Sequence, residues 1–166
     1  IMAQKRRLPE SCENLDLLKE EYEIIKKKYD LPGFEDMDTQ FELRKIDYDL
    51  FIIKEIRRNM MTRMEQVILI LEPILDPGKS LHSFIETKFF EKYNVEPMFD
   101  FYKQLWGLLH DGIHASFTSE KAEADYIKDV WKKWPEIKKK GAEYADRIAT
   151  GWAKVEKETF TGKYLQ

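Results

Sequence analysis

The sequence predicts an all-α protein, a single-domain helical bundle of about six or seven helices built on one long central helix over residues 49–75. Between Asp49 and Leu75 apolar residues recur at Ile53, Ile56, Met60, Met64, Val67, Leu71 and Ile74, a spacing that lays one continuous stripe along a helix. The same three- and four-residue rhythm runs from Leu15 to Val155. Sustained apolar–polar alternation bounded by turns is absent, and the β-branched residues fall inside helical periods, so no sheet is expected.

The first helix is expected to start at Ser11 or Asn14 and to run to Tyr29, with Leu15, Leu18, Tyr22, Ile25 and Tyr29 inward. Leu31-Pro32-Gly33 ends it. A short stretch over Phe34–Leu43 carries Phe34, Met37 and Phe41 ahead of the long helix, whose last turns Pro73 bends and which Asp76-Pro77-Gly78 stops. Ser80 or Ser83 caps a short fourth helix, and Glu86, three residues after Ser83, completes a capping-box pattern.

Asn94 opens a fifth helix on which Met98, Phe101, Tyr102, Leu105, Leu108, Leu109 and Ser116 share a face. Phe99, Trp106 and Phe117 form a second stripe about 100° away, so this helix asks to be covered on two sides, inside a bundle or at a subunit interface. Thr118-Ser119 caps a sixth helix with Ile127, Val130, Trp131 and Trp134 inward, and Pro135 suits the first turn of a seventh. On that last helix Gly141 and Gly151 sit on the apolar face, where their low helix propensity calls for close backbone approach as compensation.

The 166 residues read as one domain, 1–166, with 1–10 and 159–166 as flexible ends, and 43% hydrophobic residues are enough for a core that needs no staples. The single cysteine, Cys12, excludes an intrachain disulfide and points to a reducing compartment. With 28 basic against 31 acidic residues, no global field favours nucleic acid or anionic lipid. The basic start, Ile1–Arg7, lacks a signal peptide's apolar core, and no apolar run reaches membrane-spanning length, so the expected home is the cytoplasm and a membrane is not an expected partner.

Candidate chemistry is sparse. His110 and His114 are four apart on one helix and can both reach one metal ion, and His110-Asp111-Gly112-Ile113-His114 mimics a zinc-protease string with Asp in place of Glu. His82, four before Glu86, joins a mixed site only if helices four and five meet. Arg57 and Arg63 flank the stripe of the long helix, where a guanidinium pairs with a neighbouring carboxylate or holds an anion. Lys132, Lys133, Lys138, Lys139 and Lys140 concentrate positive charge at one corner and make a candidate anion or nucleic-acid patch, with no aromatic platform beside them. Glycine-rich phosphate loops, nucleophile elbows, paired cysteine ligands and Glu-x-x-His repeats are missing, which removes the support for most enzyme classes and for a cofactor.

Four segments, Leu31-Pro32-Gly33-Phe34-Glu35, Glu55-Ile56-Arg57-Arg58, Ser80-Leu81-His82-Ser83 through Phe89-Phe90, and Trp134-Pro135-Glu136-Ile137-Lys138, carry a further signal. Together they make the chain similar to a group of small uncharacterised archaeal all-helical proteins. That resemblance implies an all-helical fold and an archaeal source, and it brings no activity, cofactor or catalytic residue. The functional expectation is a non-enzymatic interaction or scaffold module that self-associates through Phe99, Trp106 and Phe117. The alternatives are a metal-binding protein or metal-dependent hydrolase using His110 and His114, and nucleic-acid binding through the lysine patch.

Overall fold

A computed structural model describes residues 12–46 and 51–155, with side chains in the first helix described from Leu15 on. The fold is all-α. Six α-helices follow one another, α1 (Cys12–Tyr29), α2 (Phe34–Phe41), α3 (Ile52–Leu75), α4 (Leu81–Lys88), α5 (Glu96–Thr118) and α6 (Glu120–Ala153), with one 3-10 turn at Leu43–Lys45 and no strand among the described residues. The expected flexible ends and Ser11 lie outside the described residues; Asn14 lies within α1 and does not cap it.

Two compact units are built from these helices: one holds the described residues up to Met60 with Gly112–Asp129, the other Met61–Asp111 with the described residues from Val130 on. Helices α3, α5 and α6 each contribute to both.

In the first unit α1 ends on Asp30, whose left-handed backbone lets the Leu31 amide reach back to the Lys26 carbonyl at 3.2 Å. Tyr22 is fully buried, meets Phe34 edge-on at 5.3 Å, and donates its hydroxyl to the Pro32 carbonyl at 2.8 Å. Phe34, Met37 and Phe41 are buried as their spacing requires, and Glu42, also left-handed, turns the chain into the 3-10 turn.

That turn is fastened by Asp38, which is buried on the inner face of α2. Its carboxylate accepts from the Arg44 amide at 2.8 Å and from Arg44 Nε at 2.6 Å, with a further bond to the guanidinium. Burial alone would raise this carboxyl, but the Arg44 side-chain and backbone bonds together hold it below the ordinary range. A depressed folded-state value makes the stabilisation complete above the unfolded value of about 4 and lost as pH falls through the folded one. The stability gap between the wild type and Arg44→Ala should therefore be full at neutral pH and shrink below about pH 4 in urea titrations; a gap unchanged at pH 3 would refute the assignment.

The long helix ends where expected, at Leu75, but starts at Ile52 rather than 49, since Phe51 precedes it without helical structure and residues 47–50 lie outside the described residues. Ile53, Ile56, Met60, Met64, Val67, Leu71 and Ile74 are all buried, and Pro73 lies inside the helix two residues before it stops at Asp76-Pro77-Gly78. In the second unit, Asn94 accepts from the Glu96 amide at 2.9 Å at the start of α5, and Met98, Phe101, Leu105, Leu108 and Leu109 are buried. Val67 packs on Gly141, where an added Cβ would lie 3.2 Å from a valine methyl. Phe90 and Phe101 close on Tyr144 at 6.2 and 6.1 Å.

Three expectations are corrected. Helices six and seven are one 34-residue helix, α6, started by Ser119, whose hydroxyl accepts from the Ala122 amide at 3.1 Å. Pro135 sits mid-helix because Ile127, Val130, Trp134, Ile137 and Gly141 stay buried in step across it; the proline itself is exposed. Its lost hydrogen bond therefore faces water. Ser80, rather than Ser83, caps α4, accepting from the Ser83 amide at 3.0 Å, which leaves Glu86 free of the capping box. Finally, the second stripe of α5 is not covered inside a bundle, the first of the two placements expected for it: Phe99 is 53% and Trp106 38% exposed in the second unit, and Phe117 86% in the first.

Candidate functional site

The residues singled out by sequence do not converge. His110 and His114 are both exposed; the His110 ring lies against Trp106 at 6.0 Å in the second unit, whereas His114 belongs to the first. Among the described residues no three His, Cys, Asp or Glu side chains gather in a way that could hold a metal. Lys138, Lys139 and Lys140 do not sit at a helix start. They lie in the middle of α6, and Lys140 pairs with Glu136 at 2.8 Å while its ammonium rests over the Phe101 ring at 5.1 Å.

Arg57 takes the structural role. In the first unit its Nε donates to Glu123 Oε2 at 2.8 Å and Nη1 to the Gly112 carbonyl at 3.2 Å, with the two side chains 8% and 4% exposed. Arg63 is half-buried, and its Nη1 lies 3.4 Å from Gln66 Oε1.

The built site lies elsewhere, where α4 meets the last turns of α6 in the second unit. Glu86 is buried on α4, and its Oε1 accepts from Trp152 Nε1 at 2.8 Å while lying 2.9 Å from His82 Nε2. The His82 ring stacks on the Trp152 indole at 5.6 Å, and Phe89 meets the same indole edge-on at 5.8 Å. His82 thus finds its partner on the sixth helix, not the fifth. The Trp152 bond to this carboxylate ties α6 to α4, and the His82 ring stacked on the same indole adds a second contact between the two helices.

Beside this brace runs a groove of about 400 Å³. Leu81, Phe84 and Ile85 of α4, with Phe89 just past its end, supply one wall, and Thr150 and Gly151 of α6, with Val155 just past its end, the other. Gly151 is required there: a Cβ would fall 2.7 Å from Phe89 Cε2 and nearer still to Cγ and Cδ2. The sequence puts Gly151 on an apolar face and His82 four before Glu86, yet a capping-box role for Glu86 conceals its bond to Trp152. Tryptophan beside a helix-face glycine, opposite a helix with an i,i+4 His/Glu pair, was the available signal.

No family model, curated protein or solved structure matches the chain.

Among the described residues no helix is long and apolar enough to cross a membrane.

Proposed function

We propose that the protein is a non-enzymatic binding module of the reducing cytoplasm that self-associates through the outer face of α5. One observation carries the reading: Val95, Phe99 and Trp106, four and seven residues apart along one line of the second unit, are 45%, 53% and 38% exposed. Tyr102 and His110 extend the line, their rings 6.2 and 6.0 Å from that of Trp106. Tryptophan and tyrosine give large contact area at low entropic cost, which makes such rows good interface centres.

A second copy is the partner because the flank of the row is self-complementary. Lys103 and Asp111, both exposed, lie eight residues apart with Gly107 midway, and nothing lies within 4 Å of where a Gly107 Cβ would be. An antiparallel two-fold through Gly107 brings each Lys103 to the other copy's Asp111 and lets the backbones approach at the glycine. The likeness to small archaeal helical proteins adds a fold expectation and no activity to this reading.

A helix pair of this length buries less than the ~1,200 Å² of a standard interface, so the dimer should be weak, in the range of tens of micromolar. Sedimentation equilibrium from about 1 to 200 µM should show it, with loss of about 2 kcal/mol of association for Trp106→Ala. Lys103→Asp or Asp111→Lys alone should weaken it and the double reversal should restore it. A strict monomer at the highest concentration would sink the proposal.

A further inference from the structure

We infer that the groove between α4 and the last turns of α6 binds a single-chain amphiphile with an anionic head, a medium-chain acyl carboxylate. The groove's volume, about 400 Å³, lies in the range of small-molecule sites, and its walls are apolar. Leu81 and Phe84 stand 50% and 36% exposed at its edge, so the apolar surface is open to a ligand rather than sealed as core.

Charge selects the head group. Lys88, Arg147 and Lys154 line the same groove, and no aspartate or glutamate does. None of the three cations is paired with a carboxylate among the described residues. Instead the Arg147 guanidinium lies over the Tyr93 ring at 3.6 Å, and the Lys88 ammonium over the Phe84 ring at 4.4 Å. An aromatic face positions a cation without consuming its hydrogen-bond donors, so the guanidinium fork and the ammonium stay available to an incoming carboxylate.

The groove is preformed. The Glu86 bond to Trp152, with His82 stacked on the same indole, holds α4 and α6 apart at a fixed distance beside it, and Phe89 against Gly151 forms its floor. A chain laid along Leu81, Ile85 and Phe89 with its head toward Arg147 and Lys88 meets grease and charge in the order an acyl carboxylate presents them. A neutral or cationic amphiphile satisfies only half of this pattern.

The test uses the full chain and dodecanoate below its micellar concentration, followed by calorimetry. The expected result is saturable one-to-one binding, with dodecanol and dodecyltrimethylammonium at least tenfold weaker. Arg147→Gln and Lys88→Gln should each weaken dodecanoate by at least about tenfold, the loss of one charge-assisted hydrogen bond. Because Leu81 is half-exposed and meets the acyl chain, Leu81→Glu should abolish measurable binding and Leu81→Met, apolar and of similar volume, retain it. No saturable binding by dodecanoate, equal binding of dodecanol, or indifference to Leu81→Glu would overturn the inference. None of these outcomes depends on whether α5 forms a dimer.

Discussion

Glu123→Ala is expected to destabilise the first unit by about 3–5 kcal/mol, the cost of stranding a buried charge. Arg57 is almost wholly buried, so removal of the carboxylate at 2.8 Å takes away a charge-assisted bond from a cation that stays shielded from water. Coulomb attraction in the native pair largely offsets the desolvation of both ions, which is why the pair itself adds little while its breakage costs much. The matching expectation is that Arg57→Met with Glu123→Leu recovers most of the loss, since apolar side chains of similar volume need no partner. Urea denaturation with an unchanged slope is the measurement. A Glu123→Ala midpoint within ~0.5 kcal/mol of wild type would show that water reaches the guanidinium and that the pair is effectively a surface one.

The same pair shows where sequence was informative. Arg57 on the edge of an apolar stripe implies either a paired carboxylate or a bound anion, because a guanidinium beside Met64 and Leu71 must snorkel or find a negative partner. Which carboxylate was not legible, since Glu123 lies 66 residues away and only packing brings it within reach. Periodicity likewise gave the body of α3, and the buried set on α5 with it, because local spacing alone decides which side chains share a face.

It failed at Pro135. Local chemistry there favours a helix start, but an inward row that continues across the proline outweighs one missing hydrogen bond on the exposed side. With the helix unbroken at Pro135, Lys138, Lys139 and Lys140 fall in mid-helix rather than at a corner between two helices. The α4–α6 groove was invisible for the same reason as the Glu123 contact: its walls are about seventy residues apart, and no local pattern reports which two helices meet.

The glycines of α5 and α6 turn that distinction between local and tertiary information into the second large expected effect. Helix propensity alone predicts that Gly→Ala stabilises by up to about 1 kcal/mol at any mid-helix position. Gly107, exposed and with nothing within 4 Å of its would-be Cβ, should show that gain when stability is measured on dilute, monomeric protein. Gly141, whose Cβ would press on Val67 methyls at 3.2 and 3.3 Å, should come out near neutral. Gly151→Ala should lose about 1–2 kcal/mol net, because the new methyl overlaps a Phe89 ring atom bonded almost directly to the α4 backbone and cannot be evaded by a flexible tip. Gly151→Val, with two more methyls against the same ring, should cost about 3 kcal/mol. Truncation of the obstacle should rescue it: in a Phe89→Leu background the penalty for Gly151→Ala ought to fall by at least about 1 kcal/mol, a coupling that distant sites do not show. If Gly151→Ala instead stabilises the chain as Gly107→Ala does, α4 and α6 do not approach each other closely there, and the groove loses its floor.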